Sequence, residues 1–143
     1  MNTNSENPKV GRLFQELVAK LLSEHFDKTF HNEVSIPIGE PAKNHKFDCV
    51  SDDKNIVAEC KCYTWTETGN IPSAKMGFIN EAVFCMSYLP TDTKKIIVMK
   101  KATHVKRSET LAEYYFRINK HLLKEIMLLE IDVDTNKITT IKK

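Results

Sequence analysis

Asp48, Glu59 and Lys61 are the residues whose types and spacing in this sequence could do chemistry together. Side chains of a strand alternate between its two faces, so Glu59 and Lys61 project from the same face if their segment is a strand. Asp48 joins them from the preceding strand if Phe47 and Cys49 both point into the core. The two carboxylates can then bind a hard divalent cation such as Mg²⁺, and the ammonium group can orient a water molecule or stabilise charge on a phosphate.

An ordinary ion pair between Glu59 and Lys61 on an exposed strand is the alternative interpretation. Simple alternation of polar and apolar residues along a strand produces such a pair without any function. We favour the site because Asp48 and the order of the surrounding elements agree with it. A domain without any site predicts instead that Asp48 and Glu59 point in different directions.

Helices on either side of this hairpin are predicted from apolar residues that recur at i, i+3 and i+4. Asn7 and Pro8 suit the cap and the first turn of the first helix. Pro72 opens the second helix, and Ser108 is the expected cap of the third. The predicted helices are residues 8–26, 72–88 and 108–122. The predicted buried face of the third helix is Leu111, Tyr115, Ile118 and Leu122.

Strands are predicted where apolar residues alternate or form short runs between turn residues. The predicted strands are residues 29–38, 45–51, 55–63, 96–99, 126–133 and 137–142. Residues 52–55 form a tight turn between the strands that carry Asp48 and Glu59. The resulting order, α-β-β-β-α-β-α-β-β, predicts an α/β fold with a mixed sheet flanked by helices.

The length of 143 residues fits one compact domain, predicted to span residues 8–143 after a disordered segment at residues 1–7. The net charge of +2 does not by itself mark a DNA-binding protein. No apolar run is long enough for a transmembrane helix, and the polar N-terminus lacks the apolar stretch of a signal peptide. We therefore expect a cytoplasmic protein with no membrane partner.

Cysteine and histidine are given no site role in this prediction. Three of the four cysteines lie in apolar stretches that predict burial, which favours reduced thiols. Cys60 and Cys62 share a strand face with an alanine, and no second Cys or His pair with zinc-finger spacing accompanies them. The five histidines are scattered, with His45 closest to Asp48.

Asp48 followed by Glu59-Cys60-Lys61 resembles the D-x(n)-(D/E)-x-K signature of the PD-(D/E)XK nuclease superfamily. The core of that superfamily, the restriction-endonuclease-like fold, has the order αβββαβ, and residues 8–100 are predicted in that order. A C-terminal helix and a β-hairpin follow it here. The resemblance implies hydrolysis of phosphodiester bonds in DNA. It also implies that Asp48 and Glu59 bind Mg²⁺ or Mn²⁺ and that Lys61 positions the attacking water.

Members of this superfamily often supply further residues from their first and second helices. Phe47 stands where proline often precedes the aspartate. Gln15 occupies the slot of an acid in the first helix and Glu16 follows it, so both are candidate accessory residues. Basic residues one turn away on each side of Glu16 are also typical of a solvated, ion-paired position. Lys75 is the corresponding candidate from the second helix.

The polar loop after Lys61 and a basic segment further along are predicted to contact DNA. The candidate residues are Trp65, Asn70, Ser73, Lys100 and Lys101. Trp65 either stacks on a base or caps the core, and the lysines either contact phosphate or form a solvated strand end. A homodimer is a further expectation, because one small domain has one site for the two strands of a duplex. The alternative function is a catalytically silent member of the same fold that binds only nucleic acid or a protein.

Overall fold

A computed structural model describes residues 7–143 as an α/β protein with a six-stranded mixed sheet and three helices. The helices are α1 (Pro8–Phe26), α2 (Ser73–Met86) and α3 (Leu111–Leu123). The strands are β1 (Phe30–Ile38), β2 (Lys43–Ser51), β3 (Ile56–Lys61), β4 (Lys94–Lys100), β5 (Met127–Asp132) and β6 (Lys137–Lys142). The predicted α/β class and order of elements are confirmed. No helix within residues 7–143 is long and apolar enough to cross a membrane.

The strands lie in the sheet in their order along the chain, from β1 to β6. Hairpins make β1, β2 and β3 antiparallel, and β5 and β6 are antiparallel as well. The connections through α2 and α3 make β3, β4 and β5 parallel, as long crossovers between strands require. The carboxyl ends of β3, β4 and β5 therefore meet at one edge of the sheet, and Lys61 and Lys100 lie at this edge.

Apolar side chains form one cluster on each face of the sheet. Helix α1 covers one face with buried residues that include Phe14, Val18 and Leu22. Helices α2 and α3 cover the other face, with Ile79 and Tyr115 among their buried side chains. The central strand β4 alternates between the two clusters and is buried on both sides, as its continuous apolar run predicts.

The helix ends confirm one predicted cap and correct another. The Asn7 side chain accepts a hydrogen bond from the Lys9 backbone N–H and caps α1. Residues 1–6 of the segment predicted to be disordered lie outside the described residues. Helix α3 begins later than predicted, because Thr110 rather than Ser108 caps it in a reciprocal pair with Glu113.

The predicted buried face of α3 is only half right. Leu111 and Tyr115 are buried, but Ile118 and Leu122 remain 45% and 40% exposed. The C-terminal turn of α3 instead buries Leu123. The four apolar residues keep their helical spacing although α3 starts later than predicted. The orientation of α3 against the sheet therefore decides which of them reach the core.

Candidate active site

The hairpin of β2 and β3 brings the carboxylates of Asp48 and Glu59 together. The strand ladder pairs Cys49 with Ala58. Next to this pair, backbone N–H groups of the two strands donate to side-chain carboxylates rather than to backbone carbonyls. The Asp48 backbone N–H donates to Glu59 Oε1 at 3.0 Å, and the Cys60 backbone N–H donates to Asp48 Oδ2 at 2.7 Å. Each carboxylate is thus held by the backbone of the opposite strand, so their positions are fixed relative to each other.

The side chains on either side of Asp48 in β2 point to opposite faces of the sheet, which contradicts one prediction. Phe47 packs in the cluster beneath α2 and α3, whereas Cys49 packs in the cluster beneath α1. The premise that both point to the same face is therefore wrong. The register between β1 and β2 is continuous on either side but skips the pair of Glu33 and Asp48, and Glu33 has a φ of 55°. This local irregularity breaks the two-residue alternation and still leaves Asp48 beside Glu59.

Burial makes both carboxyl groups resist ionisation. Glu59 is only 6% exposed, and burial followed by the charge of Asp48 raises its pKa to about 8. Burial is also the largest cause that raises the pKa of Asp48. Lys61 lowers the pKa of both groups through its positive charge, so the ammonium acts on the pair from nearby. The structure therefore brings Asp48 and Glu59 together, so the prediction that these two side chains point in different directions is wrong.

Gln15, and not Glu16, extends from α1 to this pair. Its Nε2 donates to Asp48 Oδ1 at 3.0 Å, while Glu16 is exposed on the helix surface. Gln15 Oε1 is buried and has no hydrogen-bond partner among residues 7–143. Within the same residues, no group of three or more His, Cys, Asp or Glu side chains could hold a metal ion. A cation at Asp48 and Glu59 would therefore need another type of oxygen ligand, and the free amide oxygen of Gln15 fits that need.

His45 is a neighbour of the site to which the sequence assigned no role. Its Nε2 lies 4.0 Å from Glu59 Oε2, and this buried nitrogen has no hydrogen-bond partner within the described residues. The ring packs edge-on against Phe47 with 4.5 Å between centroids. The one sign of this contact in the sequence is that His45 lies on the same predicted strand as Asp48. Strand alternation alone places the side chains of His45 and Asp48 on opposite faces.

Tyr63 is a second neighbour that the sequence did not indicate. It is 7% exposed, and burial followed by the charges of Asp48 and Glu59 raises its pKa to about 12. Lys61 Nζ lies 5.9 Å from the centroid of its ring. Lys75, the candidate from α2, has its Nζ 5.7 Å from the same centroid. Lys75 therefore shares an aromatic neighbour with Lys61, and its accessory role stays a prediction.

Trp65 belongs to the core, so its predicted contact with a base is wrong. It is 3% exposed, and its indole N–H donates to the Ala102 carbonyl at 3.1 Å. The Arg107 guanidinium stacks over the ring at 4.4 Å. A base has no free face of this indole to stack on. Of the two interpretations of Trp65, capping the core is confirmed.

The other predicted contact residues lie at the surface near the same edge of the sheet. Asn70 is exposed, and its Nδ2 donates to Thr68 Oγ1 at 3.1 Å within the loop. Ser73 is exposed at the start of α2, where no side chain caps the helix. Lys100 is half-buried at the end of β4 and Lys101 is exposed beyond it. These positions allow a contact with DNA without indicating one.

The cysteines lie apart from this surface. Cys49 and Cys62 are buried in the cluster beneath α1, and Cys60 packs against that cluster. The Sγ atoms of Cys49 and Cys60 are 3.7 Å apart, and all four cysteines of the chain are free thiols. Cys49, Cys60 and Cys62 therefore pack as small apolar residues on the face of the sheet covered by α1.

Comparisons of the chain with protein-family models, with curated protein sequences and with solved structures found no match. The family resemblance therefore depends on the residues and their arrangement alone.

Proposed function

We propose that this protein is a metal-dependent nuclease of the PD-(D/E)XK type that hydrolyses phosphodiester bonds in DNA. The observation that carries the proposal is the pair of carboxylates, Asp48 and Glu59, held side by side and largely buried, with Lys61 two residues beyond Glu59 on β3. Burial and mutual repulsion raise the pKa of such a pair, and the positive charge of a bound divalent cation would favour the ionised forms. The order α1-β1-β2-β3-α2-β4 is also the order of that superfamily's core.

Each residue of the proposed site has a role that follows from its chemistry. Asp48, Glu59 and the free oxygen of Gln15 would hold Mg²⁺ or Mn²⁺. When bound, this ion supplies positive charge that stabilises the negative charge on the phosphate in the transition state. Lys61 positions the attacking water. The water oxygen loses a proton to solvent and forms a bond to phosphorus, while the P–O bond to the leaving oxygen breaks and that oxygen takes up a proton.

A cleavage screen tests this proposal directly. Duplex, single-stranded, flap and four-way DNA are incubated with the protein and Mg²⁺ or Mn²⁺. We expect Lys61→Ala to reduce the cleavage rate at least about 100-fold, while DNA affinity and melting temperature change little. Lys94→Ala is the control, because Lys94 begins β4 at the end of the strand opposite to Lys100. Equal rates for Lys61→Ala and the wild type would contradict the mechanism.

A catalytically silent protein that binds only nucleic acid is the second candidate. It is favoured by Gln15, a neutral residue in the slot where nucleases of this type often have an acid. Melting curves with and without Mg²⁺ separate the two. At about 100 times the Kd, bound Mg²⁺ adds about 2.7 kcal/mol to the stability of a protein with a metal site. We expect this gain in the wild type and its loss in Asp48→Asn, whereas a silent protein shows no gain in either.

A further inference from the structure

Two lysines from distant parts of the chain converge on the ring of Tyr63. Lys61 is the last residue of β3, and Lys75 lies in the first turn of α2. Their Nζ atoms lie 5.9 Å and 5.7 Å from the ring centroid, within the range in which an aromatic face attracts a cation. Tyr63 itself is held in the core cluster that includes Met76 of α2. The ring is therefore a fixed surface, and the lysine side chains are the flexible partners.

Bringing two ammonium groups to one ring costs free energy, because their positive charges repel each other. The negative face of the ring offsets part of this repulsion, and the carboxylates of Asp48 and Glu59 offset more. Lys75 has a second aromatic contact, since its Nζ lies 5.5 Å from the ring centroid of Phe78. Without such contacts a lysine samples many rotamers, so the rings select the positions of both charges.

We propose that Tyr63 is a positioning residue whose ring holds Lys61 and Lys75 as a pair of cations for the scissile phosphate. This inference rests on the proposed function and names the group that the pair receives. A phosphodiester presents two non-bridging oxygens. Lys75 can bind one of them in the ground state, and Lys61 can stabilise the negative charge of the phosphate in the transition state. Lys61, on the strand of Glu59, then contributes to the reaction at the phosphate, and Lys75 contributes to binding it.

The test compares Tyr63→Leu, which removes the ring, with Tyr63→Phe, which keeps it. We expect Tyr63→Leu to lower the single-turnover cleavage rate about tenfold and to weaken DNA binding. Tyr63→Phe should recover most of the lost rate, because the face of the ring is retained. Tyr88→Leu is the matched control, since Tyr88 is an exposed tyrosine that packs on Phe84 beyond the end of α2. Circular dichroism and melting curves establish that each variant is folded.

Proton NMR of the lysine side chains gives a readout that does not depend on activity. A ring current moves methylene signals that lie over an aromatic face upfield, so we expect upfield ε-methylene signals for Lys61 and Lys75 in the wild type and in Tyr63→Phe. In Tyr63→Leu the Lys61 shift should vanish, and the Lys75 shift should fall to the part that comes from Phe78. Phe78→Leu should move only the Lys75 signal. An unchanged upfield shift of Lys61 in Tyr63→Leu would overturn the positioning role, even if the wild type cleaves DNA. If no DNA is cleaved by the wild type, the proposed function fails while the NMR comparison still decides the role of the ring.

Lys75→Gln keeps the inference testable if Tyr63→Leu does not fold. We expect about tenfold weaker DNA binding with the Lys61 signal unchanged, because only one member of the pair is lost. Wild-type affinity and wild-type cleavage in Lys75→Gln would overturn the paired role of the two lysines.

Discussion

Each carboxylate of the site accepts a hydrogen bond from the opposite strand's backbone. The bond from the Asp48 N–H to Glu59 Oε1 and the bond from the Cys60 N–H to Asp48 Oδ2 favour the charged forms. Burial disfavours the charged forms more strongly, because it is the largest cause of shift in the pKa of both groups. At the residue scale the site is therefore a pair of acids whose ionisation is disfavoured by burial, and a nearby cation would favour it.

The stability of the metal-free protein should fall as pH rises. Folding raises the pKa of Glu59 from its ordinary 4.5 to about 8. A carboxyl group of this kind stabilises the folded state fully below its ordinary pKa, and the contribution is lost as pH rises through the raised value. We expect melting temperatures in EDTA to fall between about pH 4.5 and pH 8. In Glu59→Gln the fall should be smaller, since the amide retains an acceptor oxygen but does not ionise.

Parallel curves for Glu59→Gln and the wild type would contradict this assignment. The difference between the two proteins reports the titration of the Asp48 and Glu59 pair, because every titrating group outside this pair is common to both.

Two loops at the carboxyl edge of the sheet are joined by specific contacts. Arg107 Nε donates to the Gly69 carbonyl at 2.8 Å, and the same guanidinium stacks on Trp65. The His104 ring bonds the Glu67 carbonyl at 2.8 Å. At the element scale these contacts tie the connection after β3 to the connection after β4. They hold the chain between Lys61 and Lys75 in place without contributing a reacting group.

Gly69 is the residue of this loop that tolerates no side chain. Its φ of 84° is one that glycine adopts readily, and a Cβ there would lie 2.9 Å from Nδ1 of His104. We expect Gly69→Ala to destabilise the protein by about 1–3 kcal/mol and to lower the melting temperature by several degrees. Gly77→Ala in α2 is the matched control, since a Cβ there meets nothing within 4 Å. This control should raise stability by about 0.5–1 kcal/mol, and a loss in both variants would contradict the prediction.

At the scale of the whole molecule, the topology of the sheet places three lysines, Lys61, Lys100 and Lys101, at one edge. Because β3 and β4 are parallel, Lys61 and Lys100 end neighbouring strands on the same side, and Lys101 follows. Lys94 begins β4 and lies at the opposite edge, where its Nζ is 5.9 Å from the ring centroid of Phe26. A net charge of +2 is too small to attract DNA generally, so the proposed binding of DNA would depend on this arrangement of charges.

Salt dependence of DNA binding tests whether this edge contacts phosphate. Removing one phosphate contact reduces the slope of log K against log salt by about 0.9. We expect that reduction in Lys100→Gln and in Lys101→Gln, and an unchanged slope in Lys94→Gln. Affinity measured by fluorescence anisotropy at several salt concentrations gives the slopes. Equal slopes in all three variants would favour the interpretation of a solvated strand end.

Local patterns in the sequence determined the elements and the core of the site. The helical spacing of apolar residues predicted α1, and the two-residue alternation placed Glu59 and Lys61 on one face. These features depend on neighbours along the chain, so one sequence suffices to predict them. Their number and order also sufficed to predict the α/β class.

The tertiary structure alone decided what surrounds the carboxylates. The irregularity opposite Glu33 arises from pairing with another strand, so no alternation in β2 itself reveals that Phe47 and Cys49 face opposite sides. The choice of Gln15 over Glu16 and the burial of Trp65 follow from how α1 and the loops pack on the sheet. Such contacts join residues far apart in the chain, and their free energy depends on distances that only the folded structure sets.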